Sequence, residues 1–289
     1  MSFELPQPWP NNPWTSRFRT VRASPPGSLD PGLRVATVES PALGGRGELF
    51  LHVPPGAELP LNAPVAVLLH GVYGSAWNWP LLGRAHLALD NLVAEGRTRP
   101  MVLAMPSDGM AAEGTAYLAH PGADYEAWII DDVLSLVEEM VTEVTAESPI
   151  LLAGNSMGGF GAARLGARHH NRVSAIAMHS AITHLDQLAQ FTVDDIARTA
   201  ELDDDERDVL SAFDAVSKGE LPPLYLDCGR QDPLADANLA LHQALLDREI
   251  DHRYEEYEGA HNWEAWSNRI GLSLQFFDDV LERVVACAD

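Results

Sequence analysis

From Val65 onward, short runs of unbroken apolar residues alternate with stretches in which apolar positions recur every three or four residues. The runs are Val65–His70, Met101–Met105, Ile150–Asn155, Val173–His179 and Leu224–Cys228, with a last one at Arg253–Tyr257. A strand that is apolar at successive positions, not at every second one, is buried on both faces. That pattern predicts a parallel sheet. The helical spacing between the runs predicts helices around Leu81–Glu95, Tyr125–Val144, Gly158–Arg168, Ala235–Arg248 and Trp263–Val285, which would cover the sheet on both sides. Upstream, Leu33–Glu39 and Glu48–Val53 flank Pro41 and Gly44-Gly45 and read as an antiparallel hairpin. Residues 1–32, with Pro8-Trp9-Pro10, Pro13-Trp14 and Pro25-Pro26-Gly27, read as an irregular Trp/Pro-rich arm. Residues 33–289 then read as a single α/β domain, interrupted by a helical, acidic insertion at 184–218 that would lie over the top of the sheet.

One strand end breaks this rhythm with a chemical signal. Ile150–Gly154 is followed by Asn155-Ser156-Met157-Gly158, a strand–turn–helix sequence with glycine two positions either side of a serine. So tight a reversal forces the serine backbone into strain and leaves no room for side chains at the flanking positions. It lifts the Ser156 hydroxyl off the sheet and leaves the Met157 N–H at a helix start, free to donate to an anion. Ser156 is the candidate nucleophile.

Functional groups of a parallel sheet gather at the carboxyl ends of its strands, and three more ends supply what an acyl-transfer site needs. His70-Gly71-Val72-Tyr73-Gly74 closes one strand, and its glycine would let the Val72 N–H turn inward. Val72 and Met157 would then form an oxyanion hole, with His70 a structural hydrogen-bonder. In Asp227-Cys228-Gly229-Arg230-Gln231-Asp232-Pro233, two aspartates compete for the role of triad acid. Asp227 is committed to the strand, whereas Asp232 lies in the loop within reach of a histidine, or serves as a helix cap. Gly259-Ala260-His261-Asn262-Trp263 follows the last strand. Of the 11 histidines, His261 alone combines loop placement with a position after both the serine and the aspartates; His120 and His179 are rivals at other strand ends.

Composition narrows the partners. The formal net charge is -23, from 42 acidic and 19 basic residues, and such a surface repels nucleic acid and anionic membrane. No apolar stretch has the length of a membrane span, and Met1–Pro6 lacks the basic start and apolar core of a secretory signal, so a cytoplasmic protein is expected. Cys228 and Cys287 are too few for a disulfide framework, and Cys228 reads as a buried thiol. The acidic clusters, such as Asp203–Glu206, have no metal-ligand spacing. The expected mechanism uses neither cofactor nor metal.

With these residues in place the chain resembles the esterase D branch of the α/β-hydrolases, the putative-esterase family, which includes S-formylglutathione hydrolases, feruloyl and acetylxylan esterases and tributyrin esterases. The resemblance is carried by Leu69–Ser75 with Trp77 and Trp79, by Gly154-Asn155-Ser156-Met157-Gly158-Gly159, by Cys228–Asp232 and by Gly259–Trp263, and covers Leu33 to the C-terminus. It implies the α/β-hydrolase fold and a triad in the order Ser156, Asp232, His261. S-formylglutathione hydrolases carry a cysteine just after the oxyanion His-Gly, where this chain has Val72-Tyr73. That departure favours the tributyrin and feruloyl type, acting on short-chain acyl or hydroxycinnamoyl esters. Tyr73, Trp77 and Trp79 would line the substrate pocket or pack the loop. An acyltransferase with a sugar or alcohol acceptor, and an inactive binding module of the same fold, are the alternative readings.

Overall fold

A computed structural model describes residues 16–288 apart from 19, 26, 110–112, 194–201, 203 and 218; for 204, 205 and 284–288 the backbone alone is described. Trp9, Trp14 and the rest of the first half of the arm lie outside the described residues. Val21–Ala23, within the segment read as irregular, forms a strand (β1) that pairs with the hairpin.

The hairpin is β2 (Leu33–Ser40) and β3 (Gly45–His52), in antiparallel register from Leu33 opposite His52 to Ser40 opposite Gly45. The apolar runs become β4 (Val65–Leu69), β5 (Val102–Pro106), β8 (Ile150–Asn155), β9 (Val173–His179), β10 (Leu224–Gly229) and β11 (His252–Tyr257). A separate two-stranded ladder pairs β6 (Ala119–His120) with β7 (Ala123–Asp124). The nine-stranded sheet runs β1-β2-β3-β5-β4-β8-β9-β10-β11; its first three pairings are antiparallel and the rest parallel.

Continuous apolar character has the expected cause. Val65, Val67 and Leu69 of β4 belong to one core, while Ala66 and Leu68 belong to the other. Helices α1 (Ala85–Ala94) and α8 (Trp263–Ala288) cover one face, through Leu89, Trp266, Ile270 and Phe277. The other face is covered by α3 (Leu134–Met140), α4 (Met157–Arg168), α6 (Val209–Asp214) and α7 (Ala235–Asp247), with α5 (Asp204–Arg207) beside α6, while the short α2 (Tyr125–Ala127) leads into the turn at Trp128–Val133.

Two helix expectations are corrected in detail. The helix expected over Tyr125–Val144 stops at Met140, because Val141 turns extended and Val141–Thr145 is dominated by β-branched residues that disfavour helix; its middle, Trp128–Val133, is a π-helical turn. The helix expected from Leu81 starts at Ala85, after a π-helical turn at Asn78–Leu82 and a left-handed Arg84 (φ 48°). The insertion is helical at Leu185–Gln190, α5 and α6. Arg164, buried inside α4, ties it down by pairing with both Glu126 of α2 and Glu206 of α5.

Candidate active site

The carboxyl ends of β4, β8, β10 and β11 meet around Ser156. The turn that carries it is strained, with Ser156 at φ 55°, ψ −120°. Such a conformation costs about 1–3 kcal/mol and persists only where its surroundings fix it. The Ser156 N–H donates to His179 O at 3.0 Å, and the Ser156 carbonyl accepts from Gly159, Phe160 and Ile182. The flanking glycines are forced by backbone contact. A Cβ on Gly154 would lie 2.1 Å from Gly158 O, and one on Gly158 would lie 2.2 Å from Leu69 O. Alanine at either position would therefore push β8 and β4 away from α4.

His261 bridges the serine and one aspartate. Its Nδ1 lies 2.9 Å from Asp232 Oδ2 and 3.1 Å from Oδ1, and its Nε2 lies 3.0 Å from Ser156 Oγ. A carboxylate only accepts, so Nδ1 carries the proton and Nε2 is the acceptor for the serine hydroxyl. Asp232 Oδ1 also accepts the Leu234 N–H at 2.8 Å. The loop aspartate thus both hydrogen-bonds the imidazole and closes the turn into α7.

Asp227 belongs to a different assembly. It is wholly buried; His179 Nδ1–H donates to its Oδ1 (2.9 Å), and Arg269 Nε (3.1 Å) and the Tyr225 hydroxyl (3.0 Å) donate to its Oδ2. The Ser273 hydroxyl donates to His179 Nε2 at 2.9 Å, while Arg269 also pairs with Glu255. Burial pushes the Asp227 carboxyl up, but His179 and Arg269 outweigh it and hold the group below the ordinary carboxylate range. This network fastens β9, β10 and β11 to α8 beneath the site. The rival histidines are thereby accounted for: His179 is locked here, and His120 Nε2–H donates to Thr115 O at 2.9 Å.

His70 is structural. Its Nδ1–H donates to Gly71 O (2.8 Å) and its Nε2 accepts the Asp108 N–H (3.1 Å), so both nitrogens are committed to backbone. Tyr117 adds a hydroxyl bond to His70 O at 2.9 Å. These bonds set the loop after β4, in which a Cβ on Gly71 would lie 3.2 Å from Ser156 Cβ. Val72 follows, and among the described residues neither its N–H nor that of Met157, the first residue of α4, donates to a protein acceptor.

The three aromatic residues of this loop separate. Tyr73 and Trp77 are 62% and 41% exposed, whereas Trp79 is 1% exposed. Trp79 donates its indole N–H to Leu69 O at 2.9 Å and packs edge-on to Trp263 at 5.2 Å. Its place in a substrate pocket is corrected: it is a core residue behind the loop, its N–H satisfied by a backbone carbonyl.

Other neighbours of the site had no sequence signal beyond their residue type. Phe191 of the insertion stacks on His261 (4.7 Å, 23°), and Trp266 of α8 meets the same ring edge-on at 4.9 Å. Phe191 was legible only as an aromatic residue stranded in a polar segment. Cys228 is a buried thiol, pushed up to about 12 by burial and by the nearby Asp232 charge. Among the described residues no group of His, Cys, Asp or Glu is arranged to hold a metal ion, and no helix is long and apolar enough to cross a membrane.

A serine on a strained strand-to-helix turn of a mostly parallel sheet, facing a loop histidine after the last strand, defines the α/β-hydrolase class. The chain belongs to the family described as "Putative esterase", whose model matches residues 40–276, and it is a carboxylic ester hydrolase. An acetyl esterase of Caldicellulosiruptor saccharolyticus is 24% identical over 238 residues, which span 76% of this chain and 85% of that one. Among solved structures, a ferulic acid esterase aligns with TM-score 0.71 and 22% identity over 91% of this chain and 99% of its own. The S-formylglutathione hydrolase of Agrobacterium tumefaciens aligns with TM-score 0.69 and 17% identity over 86% of this chain and 96% of its own.

Proposed function

We propose that the protein is a serine carboxylesterase acting on short-chain acyl or hydroxycinnamoyl esters, with Ser156 as nucleophile, His261 as general base and Asp232 as triad acid. One observation carries the reading: a single imidazole bridges the Ser156 hydroxyl and a buried carboxylate, each within 3.0 Å. As Ser156 Oγ attacks the ester carbonyl, its proton passes to His261 Nε2, and Asp232 stabilises the imidazolium. The negative oxygen of the tetrahedral intermediate is received by the Val72 and Met157 N–H groups, each worth about 3–4 kcal/mol if it acts as such donors do elsewhere. Collapse returns the proton to the leaving alcohol and leaves an acyl-enzyme. Water, deprotonated by the same imidazole, then releases the acid and restores Ser156.

The acyl preference follows from the exposed aromatic residues Tyr73 and Trp77 beside the loop, which offer flat apolar surface to an acyl chain or aryl ring. The acetyl and ferulic acid esterases among the relatives agree with it. The test is a p-nitrophenyl ester chain-length panel run beside methyl ferulate and acetylated sugars, with fluorophosphonate labelling of wild type and Ser156→Ala. Hydrolysis favouring acetyl to butyryl or feruloyl esters, with label on Ser156 alone, is expected. Label on another serine would remove the assignment.

A further inference from the structure

Glu113 lies in the loop after β5, outside the triad, and its oxygens hold two separate segments. Its carbonyl accepts the Tyr73 N–H at 2.8 Å and its Oε1 accepts the Tyr73 hydroxyl at 2.5 Å. Its Oε2 accepts the Val193 N–H at 2.6 Å. Tyr73 is the residue after Val72, and Val193 is two residues beyond Phe191, whose ring stacks on His261. One carboxylate therefore joins the loop that bears an oxyanion donor to the segment that backs the base.

Tyr73 needs such a partner. Its backbone is left-handed (φ 57°), a conformation an L-residue with a large side chain adopts only when held. Glu113 grips it twice, by the main chain and by the hydroxyl. Bonds to an ionised acceptor are shorter and about twice as strong as neutral ones, so the grip survives partial exposure to water.

We infer that Glu113 is a positioning residue that fixes the Val72 N–H and the His261 ring relative to one another on either side of Ser156 Oγ. The inference rests on the triad proposed above. Glu113 carries no proton in the reaction; it acts through Tyr73 and Phe191. Removing its carboxylate releases the Val193 segment and leaves Tyr73 held by the main-chain bond alone, without touching the serine, and a displacement of about 1 Å in such a site costs on the order of a hundredfold in rate.

The experiment compares Glu113→Ala, Glu113→Gln, Tyr73→Phe and the Glu113→Ala/Tyr73→Phe double variant, with Ser156→Ala in parallel. Each is assayed on p-nitrophenyl acetate and melted. Glu113→Ala is expected to lower kcat by about ten- to a hundredfold with little change in KM and a wild-type melting temperature. Glu113→Gln keeps one acceptor oxygen and should fall between Glu113→Ala and wild type. The double variant should be no slower than Glu113→Ala alone, because the hydroxyl bond is already lost. Wild-type kcat in Glu113→Ala would overturn the inference, as would a loss confined to KM or one matched by a collapse in melting temperature. If Ser156→Ala stays active, the triad and this inference fall together; if it is dead while Glu113→Ala is fully active, only the positioning role is lost.

Discussion

The ring of Phe191 lies flat against the imidazole of His261, 4.7 Å between centroids and 23° between planes. An acidic insertion that the strand rhythm treats as an interruption thus packs an aromatic ring against this histidine. Trp266 closes the ring from another side, edge-on, at 4.9 Å. The two rings pack on either side of the imidazole that bonds both Ser156 and Asp232.

Phe191→Ala is accordingly expected to reduce kcat by about tenfold through a looser imidazole, while Phe191→Leu retains much of the rate by keeping apolar bulk. Steady-state kinetics on one ester, with a thermal melt to show that folding is intact, checks this. Equal rates in all three proteins would show that the stack is incidental.

The two aspartates should separate cleanly. Asp232→Asn is expected to lower kcat by roughly 10³–10⁴-fold with a small change in melting temperature, since a neutral amide neither fixes the tautomer nor stabilises an imidazolium. Asp227→Asn should do the opposite, unfolding at lower temperature while the folded fraction keeps its activity. It removes a wholly buried charge, leaving His179 without its carboxylate and Arg269 with Glu255 alone. Paired kinetic and calorimetric measurements decide, and the reverse pattern would exchange the two roles.

Glu126 gives the fold a defined acid sensitivity. Burial works to raise its carboxyl, but the His169 hydrogen bond and the Arg164 and Arg168 charges prevail and hold it at about 2, against an ordinary 4.5. A depressed carboxylate stabilises the fold fully above pH 4.5, and this contribution, roughly 3 kcal/mol at most, is lost as pH falls toward 2. Glu126→Gln should therefore be less stable than wild type at neutral pH and show a flatter dependence across that window. Chemical denaturation of both proteins at a series of acid pH values measures it; parallel curves would show that Glu126 carries no such linkage.

Cys228 should be inert in the folded protein. Burial and the Asp232 charge push its thiol up to about 12, and only the thiolate alkylates. Iodoacetamide at mildly alkaline pH is expected to modify the peptide containing Cys228 only after denaturation, as peptide mass mapping would show. Labelling of the native protein at a free-thiol rate would mean that the β10 end opens to solvent.

Much of this molecule is written locally. Unbroken apolar runs such as Leu68-Leu69 and Leu151-Leu152 demand burial on two faces, and that demand alone yields a parallel sheet between helices. Gly154 and Gly158 mark the elbow because any side chain there would strike backbone. The position of His261 after the last strand marks it out among the histidines. Helix ends were less legible, because the stop at Met140 and the start after Arg84 depend on local backbone turns that hydrophobic spacing does not encode. What the tertiary structure alone decided is pairing at a distance. Asp227 and Asp232 are five residues apart and chemically identical, and only the fold gives one to His179 and the other to His261. Likewise Trp77 and Trp79 are two residues apart, yet one meets solvent and the other finds Leu69 O in the core. Phe191 and Glu113 reach the site from segments with no motif at all. The reason is physical: burial pattern is a property of neighbours along the chain, whereas a hydrogen bond or a ring stack belongs to two surfaces that only folding brings within a few ångströms.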